Sequence, residues 1–440
     1  MKLTINPAKN LQGEVTPPGS KSHTVRAMFM ATMAKGTSYL QNALDAEDGH
    51  AVIEVCKGLG AKIDSKKNGK GGLDVTIKSE GVRLNTLETD LFSANSGITT
   101  TITIPLIGLR KNTNIPLTLA SGEQMQKRPL ASIIKAVKDL GMNVVAFDDN
   151  DSCPLGLSGN LEGGSAEVEG KNSQYLSALL LTLPCATKDS TITVKNLEER
   201  PYVDLTLSWL DEQNIRYEHQ EKNGIDTYKI FGNQHYHSFN KTVPGDFSTA
   251  AAFIIAAVLL PGEVIIHGMN MKDPQGDKQI IPILQDMGAA IEIQKTVQED
   301  TIKIHGGKLL KGTTIDCKDI PDLVPVLAVI ASQASGKTSL IGVENSRIKE
   351  TDRVKSMATE LPKMGVKIQQ AKNSLTVFQS KLQGAKVQGY TDHRTIMALA
   401  IAGLLADGKT EIDTAEGVNK TCPTFVDMMN ALGVKMTLKA

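Results

Sequence analysis

The sequence has few cysteines, and their pattern would neither hold a metal nor build a disulfide framework. The five cysteines are odd in number, far apart, and contain no C-x-x-C pair. They are Cys56, Cys153, Cys185, Cys317 and Cys422. This usage is typical of a reducing compartment. We therefore expect a cytoplasmic protein with no metal site.

Net charge and long apolar segments are also missing. The 48 basic and 48 acidic residues cancel, so nothing in the overall charge favours nucleic acid or an anionic membrane. The longest apolar run, 250–261, is too short to span a bilayer, and the first residues lack the apolar core of a signal peptide. We expect a protein that binds neither nucleic acid nor membrane. Any anion site must come from a local cluster of cations.

What the 440 residues do contain is an internal repeat of about 75 residues, present six times. Each copy has a helix end, one small residue and then a strand. The small residues are Gly60, Gly141, Asn214, Gly288, Gly365 and Gly433. Gly or Asn fits there because a left-handed residue closes a helix before a strand leaves it.

Each copy also contains an earlier turn that is polar. These turns lie at 20–22, 95–97, 172–174, 246–248, 321–322 and 392–394. If each turn opens a helix, six helix N-termini could converge on one cleft, and helix N-termini favour anions. The repeat predicts α+β units with two helices and several strands each, grouped into two domains of three.

The stretch 345–353 packs five charged residues between a β-branched apolar run and a helical apolar pattern. The pattern predicts a helix that begins near Lys349 and places Lys349 and Arg353 on one face near its N-terminus. Two cations there are unfavourable by roughly a few tenths of a kcal/mol each. An anionic ligand would reverse that sign, whereas a solvated face would rely on Glu350 and Asp352 to neutralise the cations.

Other helix starts also carry charges that need an explanation. Lys21 and Arg26 follow a Gly-Ser turn, which suits a phosphate or carboxylate but also an ordinary capped helix. Arg128 precedes a further helix. Asp322 could cap the helix after it or act as a general base. Arg394 opens an apolar helix at which a cation has no stabilising role.

The segment 331–338 fits the permissive form of a nucleotide P-loop, but its context is reversed. A P-loop follows a strand and precedes a helix. Here a helical pattern comes first and a strand pattern follows. We interpret Gly336 as a helix C-cap and exclude ATP or GTP binding.

Nine segments match a known family in order and in the repeat register. They are 18–22, 95–97, 127–129, 173–174, 201–204, 245–249, 320–322, 347–353 and 392–394. The chain thereby resembles the 5-enolpyruvylshikimate-3-phosphate synthase family over essentially its whole length. The resemblance implies an α/β fold of two inside-out α/β barrel domains with three repeats each. It places the first domain at 1–19 plus 245–440, the second at 20–244, and the active site in the cleft between them.

The resemblance also implies a reaction. The enolpyruvyl (carboxyvinyl) group of phosphoenolpyruvate would pass to the 5-hydroxyl of shikimate 3-phosphate through a tetrahedral intermediate, with release of phosphate. This transferase step belongs to the shikimate pathway, which leads through chorismate to the aromatic amino acids. Neither a metal nor an organic cofactor is implied. The partners would be the two small substrates, and the protein would be a cytoplasmic monomer.

The site residues are carried over position by position. Lys21, Asp322 and Glu350 would transfer protons. Shikimate 3-phosphate would be bound by Lys21, Ser22, Arg26, Ser173, Gln174, Arg200, Tyr202, Asp322, Asn345 and Lys349. Phosphoenolpyruvate would be bound by Lys21, Gly97, Arg128, Gln174, Arg353, Arg394 and Lys420.

The sequence departs from the family pattern at a few positions. Ile98, Thr101 and Ile102 stand where the family has Thr, Arg and Pro, and Asn172 and Glu199 replace serines. Two alternatives stay open. One is enolpyruvyl transfer to UDP-N-acetylglucosamine, although the reactive cysteine of that related family is absent from 121–128. The other is a paralogue without catalysis, although such a protein would have no need of the proton-transfer carboxylates.

These departures predict weak inhibition by glyphosate. In this family, changes at the Thr and Pro positions, here Ile98 and Ile102, are associated with weaker binding of that inhibitor, which competes for the phosphoenolpyruvate site. The inhibition constant against phosphoenolpyruvate measures the effect. A constant as low as that of the usual sensitive enzymes would contradict the prediction.

Overall fold

The computed structural model describes residues 1–69, 71–82, 86, 88–296 and 299–439. Contacts divide the chain into two compact units. Unit 1 consists of Met1–Pro18 with Pro244–Ala440, and unit 2 is Gly19–Val243. The limits expected from the sequence lie one residue later at each crossing.

The α-helices of the described chain are α1 Lys21–Met33, α2 Glu47–Gly58, α3 Gly97–Ile107, α4 Glu123–Gln126, α5 Ala131–Asp139, α6 Ser173–Thr182, α7 Arg200–Glu212, α8 Phe247–Leu259, α9 Ile280–Asp286, α10 Val324–Gln333, α11 Arg353–Lys363, α12 His393–Leu405 and α13 Phe425–Ala431. Short 3₁₀ helices lie at Leu183–Cys185, Gly276–Gln279, Pro321–Leu323, Glu344–Ile348 and Ala415–Lys420.

The strands are β1 Lys2–Ile5, β2 Gly13–Val15, β3 Lys35–Leu44, β4 Lys62–Lys67, β5 Gly72–Glu80, β6 Asp90–Phe92, β7 Leu117–Ala120, β8 Met142–Ala146, β9 Leu155–Gly159, β10 Gly164–Glu169, β11 Ser190–Lys195, β12 Tyr217–Lys222, β13 Ile225–Ile230, β14 Asn240–Thr242, β15 Gly262–Met269, β16 Ala290–Lys295, β17 Asp300–Gly306, β18 Thr314–Asp316, β19 Lys337–Ile341, β20 Ile368–Ala371, β21 Ser374–Phe378, β22 Lys386–Gln388, β23 Thr410–Asp413 and β24 Met436–Lys439.

These strands form six four-stranded sheets with one pairing pattern. In each sheet an edge strand runs parallel to its neighbour, and the two remaining pairings are antiparallel. The sheets of unit 2 are β14-β3-β5-β4, β6-β7-β9-β8 and β10-β11-β13-β12. Those of unit 1 are β2-β15-β17-β16, β18-β19-β21-β20 and β22-β23-β1-β24. The predicted sixfold repeat and α/β class are therefore confirmed.

Three helices fill the interior of each unit. In unit 1, α8, α10 and α12 pack against one another and are buried around nearly their whole circumference. A helix that is apolar all round is stable in a protein core, which accounts for the apolar run 250–261 within and just beyond α8. In unit 2, α1, α3 and α6 have the same place. Among the described residues, no helix is long and apolar enough to cross a membrane.

The small residue after each outer helix adopts the predicted left-handed backbone. The φ angles of the five glycines lie between 87° and 108°, and Asn214 has a φ of 54°. The polar turns also open helices as expected, because α1, α3, α6, α8 and α12 begin within them and α10 begins at Val324, two residues after Asp322. The predicted order of helix before strand is confirmed between α10 and β19, and it excludes a P-loop, but the C-cap of α10 is Ala334 and not Gly336.

Candidate active site

A buried arginine organises the charged side chains of unit 1. The guanidinium of Arg353 is 1% exposed and donates to three carboxylates. Its Nη1 lies 2.7 Å from Asp322 Oδ1, its Nη2 lies 2.7 Å from Glu350 Oε2, and its Nε lies 2.9 Å from Asp392 Oδ2. Burial alone would lower the pKa of Arg353, but the three carboxylates raise it well above its ordinary value.

This geometry corrects the helix start predicted near Lys349. A 3₁₀ helix covers Glu344–Ile348, and α11 begins only at Arg353. The helix starts there because Asp352 is its N-cap and accepts a hydrogen bond of 2.8 Å from the backbone N–H of Lys355. Lys349 is therefore a partly exposed loop residue and does not share a helix face with Arg353.

Asp322 is held by arginines and does not cap α10. No side chain caps that helix, and Asp322 lies in the 3₁₀ turn before it. Its Oδ2 is 3.9 Å from Nε of Arg394, whose Nη2 is 3.9 Å from Asp246. Arg394 also donates to Thr249 across 3.2 Å. The starts of α8, α10 and α12 thus meet around two buried arginines.

Two further predicted residues lie near this network. Lys420 is 4% exposed, and its Nζ lies 3.1 Å from Glu350 Oε1. Glu350 therefore bridges Lys420 and Arg353. The Nδ2 of Asn345 is buried and has no hydrogen-bond partner among the described residues. Because buried donors are nearly always paired in folded proteins, this amide is suited to a ligand acceptor.

Asp277 is a buried carboxyl group that the sequence reasoning missed. It is 1% exposed in the 3₁₀ helix Gly276–Gln279, and neither of its oxygens makes a hydrogen bond of ordinary geometry in the described chain. Burial, followed by the negative charge of Asp322, raises its pKa from 3.8 to about 7. Its sequence signal is weak, because a carboxylate after a Pro-Gln-Gly turn is typical of a loop.

In unit 2, Arg26 is buried without a carboxylate among its hydrogen-bond acceptors. Its guanidinium donates to the hydroxyls of Thr206 and Ser177 and to the carbonyl oxygens of Ser22 and Tyr202, across 2.8–3.2 Å. Burial lowers the pKa of Arg26 from its ordinary value to about 9. A buried cation surrounded by neutral acceptors would gain from an anionic ligand.

Lys21 begins α1 and pairs with a carboxylate that was not predicted. Its Nζ lies 3.2 Å from Oδ2 of Asp48, which is 3% exposed in the first turn of α2. The partner is 27 positions away on another helix, so the sequence pattern gave no sign of the pair. Asp48 holds the ammonium group of Lys21 at the start of the helix.

Gly97, Arg128 and Gln174 lie together. A Cβ atom at position 97 would be 2.9 Å from Arg128 Nη1 and 3.3 Å from Gln174 Oε1, so the glycine keeps this place open. The departures next to it are part of the core: Ile98 and Ile102 are buried. Thr101, also buried, donates its hydroxyl proton to the Gly97 carbonyl across 2.8 Å.

Two predicted phosphate ligands of unit 2 already contact carboxylates. The hydroxyl of Ser173 donates to Glu199 Oε2 across 2.8 Å. Arg200 makes a bidentate pair with Asp226, at 3.0 and 2.8 Å, and Asp226 also contacts His219 at 2.8 Å. The hydrogen bonds to Asp226 raise the pKa of Arg200 above its ordinary value. The phosphate role of both residues stays a prediction.

Comparisons with known proteins decide the family. A family model described as EPSP synthase (3-phosphoshikimate 1-carboxyvinyltransferase) matches residues 5–429. The chain belongs to the EPSP synthase family. Curated relatives named 3-phosphoshikimate 1-carboxyvinyltransferase include one from Acetivibrio thermocellus, 39% identical and covering 99% of each chain, and one from Methanococcus maripaludis, 36% identical and covering 98% of each.

A solved EPSP synthase structure from Acinetobacter baumannii has the same fold. Its TM-score is 0.82 at 24% identity, and the match covers 100% of both chains. At this identity the likeness concerns the fold alone. The predicted membership of the EPSP synthase family is confirmed by the family match and the relatives, and the fold class by the structural match.

Asp277 predicts a specific pH dependence of stability. A carboxyl whose pKa rises on folding adds stability that is complete below pH 3.8 and is lost as the pH approaches 7. Asp277→Asn cannot ionise, so its free energy of unfolding should fall less than that of the wild type between pH 5 and 8, by on the order of a few kcal/mol. Urea unfolding at both pH values measures the difference.

The control is Asp286→Asn, which removes an exposed carboxylate at the end of α9. It should follow the wild-type pH dependence. An identical pH dependence in Asp277→Asn and the wild type would show that Asp277 ionises normally.

Proposed function

We propose that this chain transfers the enolpyruvyl group of phosphoenolpyruvate to the 5-hydroxyl of shikimate 3-phosphate and releases phosphate. The observation that carries the proposal is the pair of carboxylates, Asp322 and Glu350, held 2.7 Å from one buried guanidinium. The reaction moves protons at two atoms, and two positioned carboxylates can serve both. The full-length relatives, named for this activity, support the choice of substrates.

The proposed reaction has two steps, an addition and an elimination. In the addition, the 5-hydroxyl oxygen bonds to C2 of phosphoenolpyruvate and loses its proton to a protein group. At the same time C3 gains a proton from a protein group. In the elimination, C3 loses a proton, the bond from C2 to the phosphate oxygen breaks, and inorganic phosphate leaves. We assign these transfers to Asp322, Glu350 and Lys21. The carboxylate of Asp322, held by Arg353 through Oδ1, is the proposed acceptor of the hydroxyl proton.

Phosphoenolpyruvate binding is assigned to Arg353, Arg394 and Lys420 in unit 1 and to Lys21, Gly97, Arg128 and Gln174 in unit 2. Four hydrogen bonds join Arg353 to carboxylates, and a guanidinium has five N–H groups. Within the described part of the chain, one N–H on Nη1 takes no part in these four bonds, and we assign it to the substrate carboxylate together with Arg394. Both substrates are polyanions, so cations must offset their mutual repulsion.

Shikimate 3-phosphate binding is assigned to the remaining predicted residues. Arg26 would meet the shikimate carboxylate with Ser22 beside it, while Gln174 and Tyr202 would line the ring. The phosphate would be bound by Ser173, Arg200 and Lys349, with Asn345 and Asp322 completing the set. We further propose that the protein is a monomer and that it lies in the cytoplasm. The five free cysteines support a reducing compartment.

Phosphate release tests the function directly. The purified protein should release inorganic phosphate when phosphoenolpyruvate and shikimate 3-phosphate are both present. Phosphoenolpyruvate alone should give none, because the phosphate leaves only after addition to the acceptor. Release only with UDP-N-acetylglucosamine would favour the other transferase, and no release with either acceptor would indicate a paralogue without catalysis.

The proton-transfer assignment predicts lower turnover in two variants. Asp322→Asn and Glu350→Gln should each lower kcat by ~10²-fold or more, the usual scale for removing a general acid or base. Each variant keeps the shape of the side chain but leaves Arg353 with one carboxylate fewer, so circular dichroism must accompany the kinetics. Asp407→Asn is the control, because Asp407 is exposed and pairs with Lys381 at the surface. Wild-type turnover in both site variants would show that other groups move the protons.

A further inference from the structure

Glu199 is a buried residue whose carboxyl group contacts Ser173, a residue proposed to bind the substrate phosphate. The residue is 1% exposed, and its Oε2 accepts the 2.8 Å hydrogen bond from the hydroxyl of Ser173, which is 2% exposed. Ser173 is the first residue of the inner helix α6. Glu199 directly precedes α7. The bond therefore joins the starts of two helices in unit 2.

The place of Glu199 is not explained by helix capping. Its backbone is left-handed, with a φ of 54° and a ψ of 38°, a conformation that is unfavourable for a glutamate. Its side chain makes no capping hydrogen bond to α7, although it precedes that helix. Residues in such conformations persist where their surroundings over-determine them, and they cluster at functional sites. In this conformation the carboxylate of Glu199 contacts Ser173.

That contact occupies the donor that a phosphate would need. A serine hydroxyl has one proton, so Ser173 cannot donate to Glu199 and to a substrate phosphate at the same time. A carboxylate and a phosphate are alternative acceptors for the same donor. They also repel each other when both are ionised and close together.

Arg200, the next residue, is also paired with a carboxylate, but that carboxylate is held differently from Glu199. Its partner Asp226 is fully buried on β13 and also contacts His219 on the neighbouring strand β12, so this carboxylate is fixed within a sheet. Glu199 contacts Ser173 from the loop that precedes α7, where a rotation of its side chain breaks no strand pairing. Of the two carboxylates at these predicted phosphate ligands, Glu199 is the one that lies outside the strands.

We propose that Glu199 is a specificity-determining residue that competes with the phosphate of shikimate 3-phosphate for Ser173. This inference rests on the proposed function, which makes Ser173 a phosphate ligand. Glu199 weakens the binding of the phosphorylated acceptor, because the phosphate must displace the carboxylate. Glu199 also narrows the preference for shikimate 3-phosphate over shikimate, which has no phosphate and is not penalised.

The test compares Glu199→Ser and Glu199→Gln with the wild type in the full chain. The serine variant removes the carboxylate, and the glutamine variant keeps its size without the charge. Calorimetry gives the Kd of shikimate 3-phosphate and of shikimate, and steady-state kinetics give the KM of each substrate. Glu167→Gln is the matched control, because it makes the same change in net charge at an exposed site on β10 that pairs with Lys195.

Both Glu199 variants should bind shikimate 3-phosphate ~10-fold more tightly or better, since like charges in a buried site repel strongly. The Kd of shikimate, the KM of phosphoenolpyruvate and all constants of Glu167→Gln should stay at wild-type values. A general loosening of the fold would change the binding of both acceptors alike.

Failure of the inference and failure of the function are distinguishable. If no form of the protein releases phosphate, the proposed function fails, and the Kd values still decide the role of Glu199. If neither Glu199 variant binds shikimate 3-phosphate more tightly than the wild type while both keep its melting temperature, the inference is overturned, whatever the catalytic result.

Discussion

The ion pairs of Arg353 are the interaction on which the candidate site depends. One guanidinium joins the turn before α10, the loop before α11 and the N-cap of α12 through Asp322, Glu350 and Asp392. Loss of one partner from a buried pair commonly costs about 3–5 kcal/mol, because the other charge is left uncompensated. The two carboxylates proposed to transfer protons are therefore held in place by the folding of unit 1 itself.

The repeat explains why these groups meet. Each copy begins an inner helix with a polar turn, and the three inner helices of unit 1 pack together, so their first residues come close. Arg394 at the start of α12 thus reaches towards Asp246 before α8 and Asp322 before α10. Unit 2 follows the same rule, since Gly97 starts α3 near Gln174 at the start of α6. These polar and charged side chains lie at the helix ends, outside the apolar stretches, so they do not disrupt the apolar core.

Local features of the fold could be predicted from the sequence, whereas long-range pairing could not. A left-handed residue after each outer helix follows from Gly or Asn at that position, and all six have a positive φ. The apolar pattern predicts a start of α11 near Lys349, whereas Asp352 is the N-cap and the helix begins at Arg353. The contacts of Ser173 with Glu199 and of Arg200 with Asp226 each span 26 positions and join different elements. Packing sets such pairs, and no local pattern encodes them.

Each unit contains a buried arginine, and the two arginines have pKa values shifted in opposite directions. Arg353 and Arg26 are both fully buried, yet the pKa of the first rises and the pKa of the second falls to about 9. Burial acts in the same direction on both, so the difference comes from their partners: carboxylates around Arg353, and hydroxyl and carbonyl oxygens around Arg26. A carboxylate ligand at Arg26 would supply what Asp322, Glu350 and Asp392 supply to Arg353. An anionic ligand bound at Arg26 would therefore offset the cost of burying this charge without a carboxylate partner, and this would add to the affinity for that ligand.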